Sequence, residues 1–279
     1  MESIIHYFEH IPSSHRTAML VGGIAFFWIV ESAIPLFQFK YNKWKHAGTN
    51  IFFTVTTILV NFTLAFILVQ SANWATVHDF GIINWLPDMP VLVYTILGLL
   101  VLDLIGAYFI HWLEHRVKWM WRFHLIHHSD RNVDTTSANR HHPGESVFRF
   151  VFTTIAVVIT GAPMWMVFLY QAMSVLLSQF NHANIALPKR LDNTLSLIFI
   201  TPDMHHVHHH YVLPYTDSNY GNIFSVWDRM FGTYSDLDRD KIVYGIDTYM
   251  DPKENEPVGP LLKIPFLPYR HPVGSKFEE

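Results

Sequence analysis

The chain has 279 residues, of which half are hydrophobic and only 15% are charged. A soluble domain usually carries about 25% charged residues, so this composition points to a bilayer. The net charge of −4 does not suggest a nucleic-acid partner, and the absence of cysteine excludes disulfides, iron–sulfur ligation and thiolate zinc sites.

Three long apolar runs come first: Ala18 to Phe37 with Glu31 inside it, Ile51 to Val69, and Val91 to Ile110 with Asp103 inside it. Each is long enough for a membrane-spanning helix, which needs about 20 mostly apolar residues. The first run begins late and lacks a small-x-small cleavage site, so it reads as a span and not as a cleaved leader. A fourth region, Val147 to Phe180, is interrupted at Gly161-Ala162-Pro163. Proline disfavours a continuous helix there, and the region reads as a hairpin, either two short spans or a re-entrant pair.

Loop charge orients these elements. Lys40, Lys43 and Lys45 follow the first run, whereas the loop from Ser71 to Pro90 has no lysine or arginine. Arg116, Lys118, Arg122, Arg131 and Arg140 follow the third. Positive loops stay in the cytoplasm, which places the N-terminus outside and everything from His111 to Arg140 inside. The tail beyond Asp251 holds six prolines and is expected to be extended, with a partly disordered end. The reading is therefore an all-α integral membrane protein. Residues 1–110 hold N-terminal spans, and about four spans are expected in all. Residues 111–250 hold the hairpin near 147–180 and a cytoplasmic helical cap, and residues 251–279 form a Pro-rich tail.

Histidine is the outlier, at 19 residues. His111 and His115 lie four apart, one face of a helix. His124, His127 and His128 fall at i, i+3 and i+4, and His205, His208 and His209 repeat that pattern. Thr201-Pro202-Asp203 before the second triplet reads as a helix start. His141 and His142 stand beside a Pro143-Gly144 turn, and His182 stands alone after the hairpin. Imidazole suits iron, zinc and copper. This set supplies enough nitrogens for two metals, and a two-metal centre that activates oxygen can attack C–H bonds no side chain can oxidise alone. His206 and His210 should face away from the triplet. His6, His10, His15, His46, His78 and His271 show no partner pattern and receive no role. Among carboxylates, Asp103 lies two helical turns before His111 and is placed to hold a histidine from behind, as are Glu145 and Asp203. A charge inside a span is usually functional. Glu31 is expected to reach the interface.

The order of these motifs resembles the fatty acid hydroxylase and sterol desaturase superfamily. The matching pieces are His111-x-x-x-His115, Trp121-Arg122-Phe123-His124-x-x-His127-His128-Ser129, Arg140-x-His142-Pro143-x-Glu145, and Phe180-x-His182-Ala183-Asn184. Thr201-Pro202-x-x-His205-x-x-His208-His209, Asn219-Tyr220-Gly221 and Trp227-Asp228-Arg229 through Tyr234 complete the set. The resemblance implies a membrane helical bundle with a di-iron centre held by His111, His115, His124, His127, His128, His182, His205, His208 and His209. Some relatives carry a second histidine four residues before His182, where this chain has Ser178; His142 is the candidate to complete the set. Asp228 joins the supporting carboxylates. The resemblance further implies O2 chemistry on a fatty acyl, sterol or related lipid, by hydroxylation or desaturation. No electron-carrying module is visible, so electrons are expected from a separate redox partner protein, with tetrahydropterin also compatible. Zinc is expected to replace iron readily in purified protein.

Two other readings remain at this point. His111-Trp112-Leu113-Glu114-His115 fits the inverted zinc-metalloprotease pattern, though it leaves the later histidines without a role. A non-catalytic metal transporter would place its ligands across the membrane and not at one face of it.

Overall fold

A computed structural model describes residues 1–274. Residues 275–279 lie outside the described residues, and with them the expected disorder at the end of the tail. The described residues are helical throughout, with only isolated bridges such as Pro35 with Ile185 in place of strands. A short helix α1 (Glu2–Glu9) precedes α2 (Ser13–Ala33) and α3 (Lys43–Val77). Helix α4 (Val91–Asp103) runs through a π-helical stretch (Leu104–Phe109) into α5 (Ile110–Arg116), and α6 (Lys118–His128) follows. The hairpin is α7 (Pro143–Thr160) and α8 (Met164–His182). Short helices α9 (Lys189–Leu195), α10 (Pro202–His208) and α11 (Val226–Met230) build the cap.

Among the described residues, four helical segments are long and apolar enough to cross a membrane: Ser13–Ala33, Lys43–Asn84, Val91–Arg116 and Pro143–Thr160. The first ends just before Pro35, because the residue ahead of a proline is pushed out of the helical region. The second is longer than the apolar run predicts. Its first two turns leave the apolar stretch and bury His46 and Asn50 against Asp130 and Thr136. The hairpin turns as expected. Gly161 ends α7 with a left-handed φ of 77°, and Pro163 caps α8. A Cβ on Gly161 would lie 2.5 Å from both the Asn84 amide and the Phe80 carbonyl. Gly161→Ala should therefore cost about 1–3 kcal/mol, read as a lower melting temperature in detergent.

The helices alternate in direction, and one end of the bundle collects the histidines. Glu31, near the end of α2, is buried and accepts the backbone N–H groups of Thr135 (3.0 Å) and Asn184 (3.1 Å), with Lys43 as its ion-pair partner at 3.0 Å. It ties the first span to the cap and does not reach out to the interface. His111 at the end of the third segment, Glu145 at the start of α7 and His182 at the end of α8 share this end. Hydrophobic contacts of α1, α3, α4, α7 and α8 fill the other end.

The Pro-rich tail differs from expectation. It folds into α12 (Pro252–Asn255) and α13 (Val258–Lys263) with a short 3₁₀ turn, and is not extended. Pro252 and Pro265 sit in first turns, where their missing N–H is not needed. Leu261 and Ile264, three apart, bury against Phe53, Trp121 and Leu125.

Candidate metal centre

The histidines of α5, α6, α8 and α10 converge on two adjoining groups. His111, His115, His124, His128 and His208 form the first, and His127, His182, His205 and His209 the second. All nine are buried. Each HxxHH triplet divides between them. On α6, His124 and His128 face the first group while His127, on the same helix, reaches the second; on α10 and its C-cap, His208 faces the first, and His205 and the capping His209 the second. The two triplet helices thus lie between the groups. The His128 and His209 rings, one from each group, are 4.9 Å apart.

Five of the nine rings are held from behind through Nδ1. His111 Nδ1 donates to the Tyr220 carbonyl (2.8 Å), His208 Nδ1 to the Ser218 carbonyl (2.6 Å) and His182 Nδ1 to the Ser178 carbonyl (2.7 Å). His124 Nδ1 meets the Glu145 carboxylate at 2.8 Å, and His115 Nδ1 meets Asp217 at 3.3 Å. These partners only accept, so they fix the proton on Nδ1 and leave Nε2 bare. The Nε2 atoms then face one another. His111 and His128 each lie 3.1 Å from His124 in the first group. In the second, His182 lies 3.1 Å from His127 and 3.0 Å from His205, and His205 lies 3.2 Å from His209. The Nδ1 atoms of His127, His128, His205 and His209 are buried with no partner in the protein. Between His111 and His124, whose Nδ1 protons are both fixed, the bare Nε2 lone pairs at this range repel unless a cation sits between them. Two nitrogens each ~2.1 Å from one metal and at a right angle would be ~3.0 Å apart. His115 Nε2 and His208 Nε2 are buried with no partner in the protein. The donor set fits two metal ions. Burial, reinforced by neighbouring imidazoles, holds His124, His127, His128, His205, His208 and His209 well below the ordinary histidine value, so they stand neutral and ready to ligate.

Four expected residues sit elsewhere. His142 joins neither group. It caps α7, accepting from the Gly144 N–H at 3.0 Å, with its ring against Phe123 and Phe266. Its neighbour His141 stacks on His127 (4.7 Å) and lies 2.8 Å from Glu145. Among the described residues Asp103 has no histidine partner; it accepts from the Phe224 and Ile223 N–H groups and the Trp227 indole, anchoring the α11 region to the third span. Asp203 pairs with Arg239 at 2.7 Å. Asp228 acts at one remove. It accepts the N–H groups of Tyr220 (2.8 Å) and Gly221 (2.9 Å), and Tyr220 is the residue that holds His111. His206 and His210 turn away, to Tyr244 and to the Val243 N–H.

Sequence reasoning missed a carboxylate clamp. Arg149 pairs with Glu145 at 2.9 Å and with Glu114 in a shorter contact, and Glu114 lies 3.7 Å from His124 Nδ1. Arg149, four residues past Glu145 and inside an apolar helix, was the available signal. A second buried network joins His46 to Asp130 (2.9 Å) and Asp134 (3.3 Å), with Asn50 and Arg140 beside them. It fixes the loop that leaves His128.

Membrane-length helices ending on two buried histidine groups define a histidine-motif membrane protein of the metal-binding kind. Residues 95–233, which include all nine converging histidines, match the fatty acid hydroxylase family. Through that domain the chain belongs to this family. The ornithine lipid hydroxylase OlsE of Rhizobium tropici is 30% identical over 150 residues, covering 54% of this chain and 44% of that protein. The alkylglycerol monooxygenase of Danio rerio is 33% identical over 142 residues, covering 50% and 30%. The cholesterol 25-hydroxylase-like protein 1, member 2, also of Danio rerio, is 28% identical over 183 residues and 64% of each. The chain spans less than half the length of the first two. No solved structure matches it.

Proposed function

We propose that the chain is an integral membrane, non-haem di-iron oxygenase that hydroxylates or desaturates a lipid. The observation that carries this reading is the convergence of nine buried imidazoles on two adjoining points, each group's ligand atoms lying within 4.8 Å of one another. His111, His115, His124, His128 and His208 would hold one ion, and His127, His182, His205 and His209 the other. The bound pair would supply the oxidising power to attack an unactivated C–H bond with O2. The chain's own residues supply the frame. Glu145, Asp217 and the carbonyls of Tyr220, Ser218 and Ser178 orient the rings. Spans on either side keep water out and offer a route for a substrate resident in the bilayer. The relatives named as hydroxylases and monooxygenases favour insertion of oxygen over a double bond. Electrons would come from a separate redox protein, or from a tetrahydropterin. The lysine and arginine loops would put the centre on the cytoplasmic face.

The histidine grouping speaks against a zinc protease. A protease base must face a metal-bound water. The buried Glu114 carboxylate pairs through Oε2 with Arg149 and lies on the Nδ1 side of His124, behind the ring and away from the Nε2 atoms that face one another. Glu114→Gln should leave metal content unchanged and lower O2-dependent turnover less than tenfold, where a protease would lose its activity altogether. The primary test is metal content of anaerobically purified protein beside a His127→Ala, His208→Ala variant, which removes one ligand from each group. About two ions per chain, iron reconstitutable and lost in the variant, is the expected result. A single zinc that survives the double substitution would overturn the proposal.

A further inference from the structure

A third group of donors lies far from the histidine centre. His6, Glu9 and His10, on α1 and at its end, each place one ligand atom within 4.8 Å of the others. Their i, i+3, i+4 spacing puts them on one face of the helix, and all three are exposed. The opposite face is pinned: Phe8 and Ile11 are buried in the core with Trp165 and Val167 of α8, and Ile5 packs against it. The donor face therefore rides on a docked helix and not on a loose terminus.

The His10 ring is already set for ligation. His10 Nδ1 lies 3.0 Å from the His6 carbonyl oxygen. A carbonyl only accepts, so this contact places the proton on Nδ1 and leaves Nε2 bare, the arrangement usual for a metal-bound imidazole. The His6 and His10 rings stand 4.6 Å apart and inclined at 48°. Two imidazoles and one carboxylate, with solvent over the remaining positions, match the donor chemistry of zinc with an open coordination site.

Position separates this group from the oxygenase centre. α1 packs beside the start of α8, where the Arg16 guanidinium from the next helix lies 5.0 Å over the Phe168 ring. His182 ends the same helix, and the rise from Met164 to His182 is ~27 Å, about a bilayer core. We propose that His6, Glu9 and His10 form a surface site for one borderline divalent cation of the zinc class, at the end of the bundle opposite the histidine centre. This site takes up an exchangeable ion from the aqueous phase and plays no part in C–H oxidation.

The test uses the full chain in detergent, stripped of loosely held metal by dialysis and titrated with zinc chloride against a chromophoric chelator. Compared with it are His6→Ala/His10→Ala, Glu9→Gln, and His78→Ala. His78 is an exposed histidine whose Nδ1 also contacts a carbonyl but which belongs to no donor group. The expected result is one exchangeable zinc in the parent and in His78→Ala. In the double variant its affinity should fall at least tenfold, about 1.4 kcal/mol or more; Glu9→Gln should weaken it less. His127→Ala/His208→Ala should keep this ion while losing those of the centre, so failure here and failure of the oxygenase reading are told apart. An unchanged melting temperature shows that the double variant folds. Equal zinc uptake by the parent and a folded double variant would overturn the site, as would loss of the same ion from His78→Ala.

Discussion

Arg149→Ala is expected to lower stability by about 3 kcal/mol and to empty the five-histidine group of metal. Among the described residues Arg149 is the one arginine or lysine paired with Glu114, which also lies 3.7 Å from His124 Nδ1, and together with His124 and His141 the arginine faces Glu145. Both carboxylates are fully buried. Removing their guanidinium leaves two like charges in a low-dielectric site, which costs more than a lost surface pair because neither side chain reaches water. The figure sits at the lower end of the range for a broken buried pair, since one carboxylate can take up a proton and Arg149 itself is about a quarter exposed.

The consequence for the site follows from Glu145, which holds His124 Nδ1 at 2.8 Å, and His124 Nε2 lies 3.1 Å from two other rings of its group. Arg149→Lys should rescue only part of the loss, because a point ammonium cannot reproduce a fork that spans two carboxylates. Adding Glu114→Gln to Arg149→Ala should recover stability, a coupling of opposite sign to simple damage. Chemical denaturation in detergent and metal analysis read both effects. A double variant less stable than Arg149→Ala alone would refute the clamp.

What the sequence made legible was periodic or punctuated. Apolar runs gave the long helices, Gly161 and Pro163 gave the hairpin turn, and Thr201-Pro202 gave the start of α10, whose Thr201 side chain caps it. The i, i+3, i+4 spacing gave the two helices whose histidines converge. That spacing did not tell that His127 would part from His124 and His128, because the division depends on what lies on either side of α6. The place of His142 outside both groups follows from a local signal that was present. Pro143 at the first helical position makes the residue before it the N-cap, and His142 spends its Nδ1 there. Asp103 was expected behind a histidine two turns on, but its partners lie 120 residues or more downstream. A separation of 102 residues likewise hid Asp217 behind His115, and Arg149 lies 35 residues from Glu114. Spacing within a helix reports which side chains share a face; it carries nothing about which loop will cover them.

The metal-free protein should be sharply acid-labile, and the same physics makes bound metal its main protection. Six rings outside the spans, His124, His127, His128, His205, His208 and His209, are held well below their ordinary value of 6.5 by burial and by one another. Above that value folded and unfolded rings are both neutral, so stability should not change with pH on their account. As pH falls through 6.5 the unfolded chain takes up protons that the folded rings refuse, and stability drops. Each such ring contributes a slope of about 1.4 kcal/mol per pH unit, so two or three suffice to lose several kcal/mol within one unit. Bound ions oppose this by occupying the Nε2 lone pairs, which moves the loss to lower pH, at the point where protons displace the metal. Melting curves of chelated and metal-loaded protein between about pH 8 and about pH 5 measure both. The chelated form should lose stability first, from just above pH 6 downward, and the loaded form later and together with metal release. A chelated protein whose melting temperature stays level across that range would mean that the rings do not face one another bare, and the two-ion reading of the centre would fall with them.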